Sequence, residues 1–343
     1  MRVHFFQPPP EQRTGGLDAA IQSLRAALEK IGVPVDDALP AGDAGGHVVH
    51  FHGLWQPAHA RLARECRRRR IPYVVSPHGM LEPWAWRHKW WKKWPYFQLV
   101  EKAHLRRATL VLATCEAEAQ RLRARLPEAR VESVPLGMTS DAQPDYAAAR
   151  AALGWVDGER VLLFLSRLHT KKGLDLLLRA LAETAWPQPS RVVIVGGGEA
   201  RYVEELRALA RRLEGRLPRV DWAGEIWGEA RWRYFQGADL FCLPSHSENF
   251  GLAVLEACQV GTPALTTRAT PWGEWLQGGR GFVGEATVES VQQSLAQFFT
   301  EPLRTAEQRA RLAAWAHAEF SWEALAPRYA AIYRTVIGQP YAA

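Results

Sequence analysis

"DLFCLPSHSENFGLAVLEACQVGTPALTT", residues 239–267, decides the fold. The apolar run DLFCLPS has the length and composition of a buried strand, and PALTT has the same character. Between them, GLAVLEACQVG repeats apolar residues at helical spacing and stops at Gly261. Strand, loop, helix and strand in succession make one step of a parallel sheet whose crossovers are helices. The loop HSENFG falls at a strand's carboxyl end, where open parallel sheets hold ligands. A helix start at that point offers backbone N–H groups and the positive end of a dipole, which suits a diphosphate. Asn249, Phe250, Gly251 and Leu252 supply that segment, and Gly251 lets a ligand approach without a Cβ in the way. Glu248 stands at the lip of the loop, where it can accept hydrogen bonds from sugar hydroxyls. Glu256, eight positions on, lies two turns down the helix, within reach of a ribose. The plainer alternative makes Glu248 a solvated loop residue and Glu256 a salt-bridged one.

The same alternation extends both ways. RVLLFLSRL, SRVVIVGGG and RVDWAG read as strands separated by the helices GLDLLLRALAETA and YVEELRALARRL. Upstream, RVHFF, HVVHFHG, IPYVVSPHG, ATLVLATC and RVESVPLGM are strands, with helices such as LDAAIQSLRAALEKIG between them. The expectation is an α/β protein of two Rossmann-like domains, residues 1–155 and 156–320. The amphipathic helix within residues 321–343 is expected to pack back on the first domain. Two such sheets put the default ligand site in the cleft between them.

A chain of 343 residues is long for one core and of ordinary globular composition. MRVHFFQPPP is too short an apolar run for a signal peptide, and no apolar run is long enough to span a bilayer. Four scattered cysteines form no C-x-x-C pair, so they read as reduced thiols. The expected place is cytoplasmic. Residues 1–155 carry 22 Lys and Arg against 15 Asp and Glu, which accounts for the whole net charge of +7. That one-sided excess asks for an anionic neighbour: nucleic acid, anionic lipid or a phosphorylated substrate.

SRLHTKKG, residues 166–173, follows the first strand of the second half. Arg167 and Lys172 are typed for phosphate, one as a planar fork and the other as a point charge. Gly196, Gly197 and Gly198 follow a strand but do not make G-x-G-x-x-G, so a nicotinamide or flavin site does not fit. His50, His52 and His78 end strands of the first half. They lack the carboxylate or cysteine spacing of a metal site.

FLSRLHTKKGLDLLLRAL, VVIVGGGE, ADLFCLPSHSENFGLAVLEACQVGTPAL and FSWEALAPRYAAIY resemble family 4 of the retaining glycosyltransferases, which have the GT-B fold. The resemblance is strongest over residues 160–335. It implies that Arg167 and Lys172 grip the donor's diphosphate, Glu256 the ribose and Glu248 the transferred sugar. The amides at 249–251 would touch sugar and phosphate, and Gly197 would lie on a donor-side loop. DWAGEIW, with Glu225 and Ile226, would cradle the nucleobase. Gly15 and Gly16 would shape the acceptor side and touch the donor phosphate, or simply form a strand–helix turn. His78 matches the family histidine near the reacting centre. His52 lines the acceptor site or is structural.

PWAWRHKWWKKWPYFQLVEKAHLRR, residues 83–107, holds five of fifteen tryptophans and seven basic residues against one acidic. On a helix between Pro83 and Pro95, Trp86, Trp90 and Trp94 share one face and Lys89, Lys92 and Lys93 sit towards another, the composition of an interfacial membrane helix. Alternatively its tryptophans are core. No RNA-binding motif accompanies it, and no nucleic-acid partner is expected. The segment also looks like part of bacterial surface-polysaccharide and lipopolysaccharide glycosyltransferases. TPWGEW, residues 270–275, shapes a pocket or is a tryptophan-anchored loop.

The resulting expectation is a retaining, metal-independent transferase that needs no cofactor. It moves a sugar from a nucleotide-diphosphate donor to a saccharide or lipid-linked acceptor at the inner face of the membrane. A nucleotide-sugar epimerase, a synthase with a soluble acceptor, and a membrane-binding protein without nucleotide affinity are the alternatives.

Overall fold

The computed structural model describes residues 1–9, 15–42, 45–87, 90–138, 140, 142–301 and 303–339. The chain forms two compact units, Met1–Thr139 with Glu319–Ala343, and Ser140–Ala318.

The first unit holds a sheet of β1 (Arg2–Phe6), β2 (Val35–Asp36), β3 (His47–His52), β4 (Tyr73–Ser76), β5 (Leu110–Ala113) and β6 (Val131–Ser133). Its order is β2-β1-β3-β4-β5-β6, and every pairing is parallel. The strands β4 and β5 are buried throughout, which is why they read as unbroken apolar runs rather than alternating ones. The closing helix Trp322–Ile337 belongs to this unit. Trp322, Leu325, Tyr329 and Tyr333 pack with Val3, Phe5, Ile21 and Leu24.

In the second unit are β7 (Arg160–Leu165), β8 (Ser190–Val195), β9 (Arg219–Gly224), β10 (Leu240–Leu243), β11 (Ala264–Thr267) and β12 (Gly281–Gly284). The order is β12-β11-β10-β7-β8-β9, again all parallel. After β9 the chain crosses back to lie beside β7, so the winding reverses between β7 and β10. Such a switch point leaves two neighbouring strand-end loops diverging to opposite faces, with a crevice between them.

The expected division at residue 155 moves to 139–140. The helix Tyr146–Leu153 is held by the second unit. Its Arg150, almost wholly buried, donates to the carbonyls of Gly237, Val156 and Glu159 and pairs with Asp239. The short β2 and β12 were not expected; two to four residues give no period to read.

Candidate active site

Two loops flank the switch point of the second sheet. The loop after β7 runs through Ser166 and Arg167 into a 3₁₀ turn, Thr170–Lys172, and ends at Gly173 with φ +70°. A Cβ on Gly173 would meet the carbonyl of Pro244, so glycine lets the loop after β7 lie against the loop after β10. The His246 N–H donates to the Lys171 carbonyl at 2.8 Å and joins them.

Lys172 Nζ donates to Glu248 Oε1 at 2.7 Å, and Ser245 Oγ donates to the same oxygen at 2.7 Å. Glu248 is buried and Lys172 largely so. The structure therefore brings together two residues expected to have separate tasks, and adds Ser245, which the sequence reading missed. A serine three residues before a glutamate in a loop carries no distinguishing signal. Arg167 is exposed and, among the described residues, has no ion-pair partner; its charge helps hold the neighbouring His169 below the ordinary histidine range, after burial.

The helix Leu252–Gln259 starts from Gly251, φ +83°, with no side-chain cap. Trp272 Nε1 donates to the Phe250 carbonyl at 2.6 Å, and Phe250 packs against Trp272 and Trp275. The segment TPWGEW is thus the anchor of the Asn249–Gly251 turn. Asn249 and Leu252 are partly exposed beside it, and Phe250 is core. That burial limits Phe250 to a backbone role.

Glu256 is buried, and burial lifts its carboxyl to about 7 against the pull of Arg231, whose guanidinium lies 2.7 Å away. The plainer sequence alternative for Glu256, a salt bridge, is therefore present. Arg231 follows the loop of Glu225, exposed, and Ile226, partly exposed. It was not foreseen, because an arginine at a helix start is most often a solvated one. The triple glycine is a close-approach device. Cβ atoms on Gly196, Gly197 and Gly198 would meet the Ser166 carbonyl, the Glu225 carboxylate and the Leu168 carbonyl, all near 2 Å.

In the first unit, His78 is buried at φ +50°, a backbone conformation rare outside glycine. Its Nε2 lies 3.1 Å from His52 Nδ1, while His78 Nδ1 and His52 Nε2 find no partner. Burial pushes the His78 imidazole down to about 4 and that of His52 well below its usual range, so both are neutral at physiological pH. Glu118, also missed, holds the turn. Its two oxygens accept from the N–H of Gly79 at 2.6 Å and of Thr114 at 2.8 Å. His50 is tied to Tyr333 and Ser76 and is structural. Gly15 and Gly16 open the helix Gly15–Lys30.

Within the stretch 83–107, Pro83–Arg87 is helical, and Trp90–Tyr96, with Pro95 inside it, runs on through the π-helix Phe97–Glu101 into Lys102–Arg106; residues 88 and 89 lie outside the described residues, and the tryptophans do not share one environment. Trp86 leaves the expected face. It packs against Trp55 and Phe97, with Arg125 over its ring at 4.4 Å. Lys93 turns inward to the Ala85 carbonyl. Trp90 and Trp94 are exposed, and Lys89 lies outside the described residues.

The family model described as "Glycosyl transferases group 1" matches residues 145–317, and one described as "Glycosyl transferase 4-like domain" matches residues 1–137. A D-inositol 3-phosphate glycosyltransferase of Segniliparus rotundus is 35% identical over 200 residues, 56% of this chain. The chain spans less than half, 44%, of that relative's length. Among solved structures, sucrose-phosphate synthase from Thermosynechococcus elongatus aligns with TM-score 0.79 at 18% identity, covering 98% of both chains. HepE of Anabaena, in complex with UDP and glucose, aligns with TM-score 0.72 at 21% identity, covering 98% of this chain and 100% of its own. The doubly wound pair of sheets matches these structures, and the chain belongs to the group 1 glycosyl transferases, within family 4 of the GT-B fold.

Proposed function

We propose that this chain transfers a sugar from a nucleotide-diphosphate donor to a hydroxyl of a saccharide or lipid-linked acceptor, with retention of configuration and without a metal. The observation that carries the proposal is the meeting of Lys172, Glu248 and the uncapped start of the helix Leu252–Gln259 at one switch point, with Arg167 on the adjoining loop. The complex of HepE with UDP and glucose supports a nucleotide-sugar donor for this fold.

On this reading Arg167, Lys172 and the backbone of Asn249–Leu252 neutralise the diphosphate as it departs with the bonding electrons, a task otherwise given to a metal. Glu256 holds the ribose, and Glu225, Ile226 and Gly197 line the base side. His78, and with it Gly15 and Gly16, serve the sugar and phosphate. Glu248 already accepts from Lys172 and Ser245. That supports a carboxylate which orients sugar hydroxyls rather than one that attacks carbon. The acceptor oxygen then bonds to the anomeric carbon on the face the diphosphate leaves, and its proton passes to a phosphate oxygen. Cell-surface polysaccharide synthesis at the inner face of the membrane is the setting this acceptor class implies. A soluble phosphorylated acceptor is the second reading, favoured by the names of the inositol-phosphate and sucrose-phosphate enzymes.

A thermal-shift panel of UDP, GDP, ADP and dTDP sugars tests the donor. One family of nucleotides should raise the melting temperature. Lys172→Ala and Glu248→Gln should each lower turnover by about 100-fold or more while the fold survives. Near-normal activity in either variant, or no stabilisation by any nucleotide sugar, rejects the proposal.

A further inference from the structure

The helical segments Trp90–Tyr96, Phe97–Glu101 and Lys102–Arg106 follow one another without a break, Glu101 and Lys102 both keeping helical backbone angles. Their inward stripe, Phe97, Glu101, His104 and Leu105, is buried in the first unit. Four large apolar residues of the same run stand open to solvent: Trp90, Trp91 and Trp94 are 59%, 60% and 52% exposed, and Leu99 is 81% exposed. Three half-open indoles and a leucine together leave on the order of 400 Å² of apolar surface open, as much as the largest patches of monomers, which are often functional.

The run is held from beneath. Trp86 is wedged between Trp55, Phe97 and Arg125, and Lys93 ties the second segment to the Ala85 carbonyl. The run is also cationic. Lys92 stands over the Trp91 ring at 4.8 Å, and Lys102 and Arg107 follow along the run, while Arg106 is paired with Glu128. From residue 83 to 107 the one carboxylate, Glu101, faces inward and accepts from the Trp55 N–H.

We infer that this run docks the first unit on an anionic lipid bilayer, with Trp90, Trp91, Trp94 and Leu99 entering the headgroup region and the lysines and arginines over the phosphates. Indoles prefer that boundary, where an apolar ring and a polar N–H are both served. No helix among the described residues is long and apolar enough to cross a membrane, so the run lies in the interface plane. A second copy of the chain fits less well, since it would set one cationic face against another. These residues are separate from those of the sugar-transfer reading, so either can fail alone.

The test is co-sedimentation of the full chain with phosphatidylcholine vesicles, with and without phosphatidylglycerol, read together with tryptophan emission. Binding and a blue shift are expected with the anionic vesicles. Trp91→Ser/Trp94→Ser should reduce partitioning by about tenfold or more, and Leu99→Ser, at an open position, should weaken it without disturbing the core. Lys92→Glu should weaken binding to anionic vesicles only. Melting temperature and its shift by a nucleotide sugar should be unchanged in all three. No binding by the wild type, full binding by the double variant, or a dimer that the double variant dissociates with no vesicle binding overturns the inference.

Discussion

Glu256 shows how burial alone gives one side chain a pH dependence. Its carboxyl titrates near 7 because the helix Leu252–Gln259 buries it, and Arg231 offsets only part of that cost. A folded value raised above the unfolded one means that the protonated form suits the fold. The contribution to stability is greatest below about pH 4.5 and is lost as pH rises through about 7. Ligand binding runs the other way, because ribose hydroxyls donate best to an ionised carboxylate. Donor dissociation constants should therefore fall by about tenfold between about pH 6 and about pH 8. Glu256→Gln should bind more weakly and show a flat profile. Calorimetric titration with the nucleotide identified by the panel checks both, and an unchanged slope in the variant removes Glu256 from the ribose. Glu248 differs in kind. Lys172 and Ser245 hold it in one place, so its contribution is geometric, and removing the lysine would leave a buried carboxylate with one hydroxyl for company.

At the scale of elements, the three glycines after β8 bring the loop after β7, the loop after β9 and β8 itself together. The Gly196 N–H donates to the Gly224 carbonyl, and the Leu168 N–H donates to the Gly197 carbonyl, both at 2.7 Å. The three positions are not equivalent. A methyl group on Gly196 would strike the Ser166 backbone carbonyl from φ +137°, and neither partner can yield. One on Gly197 would strike only the end of the Glu225 side chain, which can swing away. Gly196→Ala should cost about 4 kcal/mol or more, a large part of a domain's stability. Gly197→Ala should melt near the wild type and show its effect in donor affinity, through the displaced Glu225. Denaturant titration of both decides; equal destabilisation would mean that the loop is far softer than its geometry.

At the scale of the whole chain, the two units differ in how they are closed. The second is one continuous segment, Ser140–Ala318, whereas the first needs the distant helix Trp322–Ile337. The Trp322 ring occupies the space a Cβ on Gly137 would take, at 2.6 Å, and Tyr333 meets His50 Nδ1 at 2.8 Å in the interior. A segment comprising residues 140–318 should fold alone and keep its stabilisation by the donor nucleotide. A chain ending at residue 318 should contain a folded second unit but an unfolded first one, open along Val3, Phe5, Ile21 and Leu24. Circular dichroism and hydrogen exchange distinguish the two. Protection of the first unit without the helix would contradict its place in that core.

The amino-acid sequence by itself determined the alternation of strands and helices, the doubly wound halves and the loops at strand ends, because buried parallel strands and amphipathic helices write their periods locally. It also supplied the residue types of the candidate site, two basic residues and a glycine turn beside a helix start. Only the tertiary structure decided which charges meet. Lys172 and Glu248 are 76 residues apart in the chain and meet because β10 returns beside β7, and Arg231 and Glu256 lie on the different helices that precede and follow β10. The tertiary structure likewise divided the tryptophans, packing Trp86 partly buried against the core and leaving Trp90, Trp91 and Trp94 outside. Composition counts indoles, but the side each one faces depends on packing that no local period records.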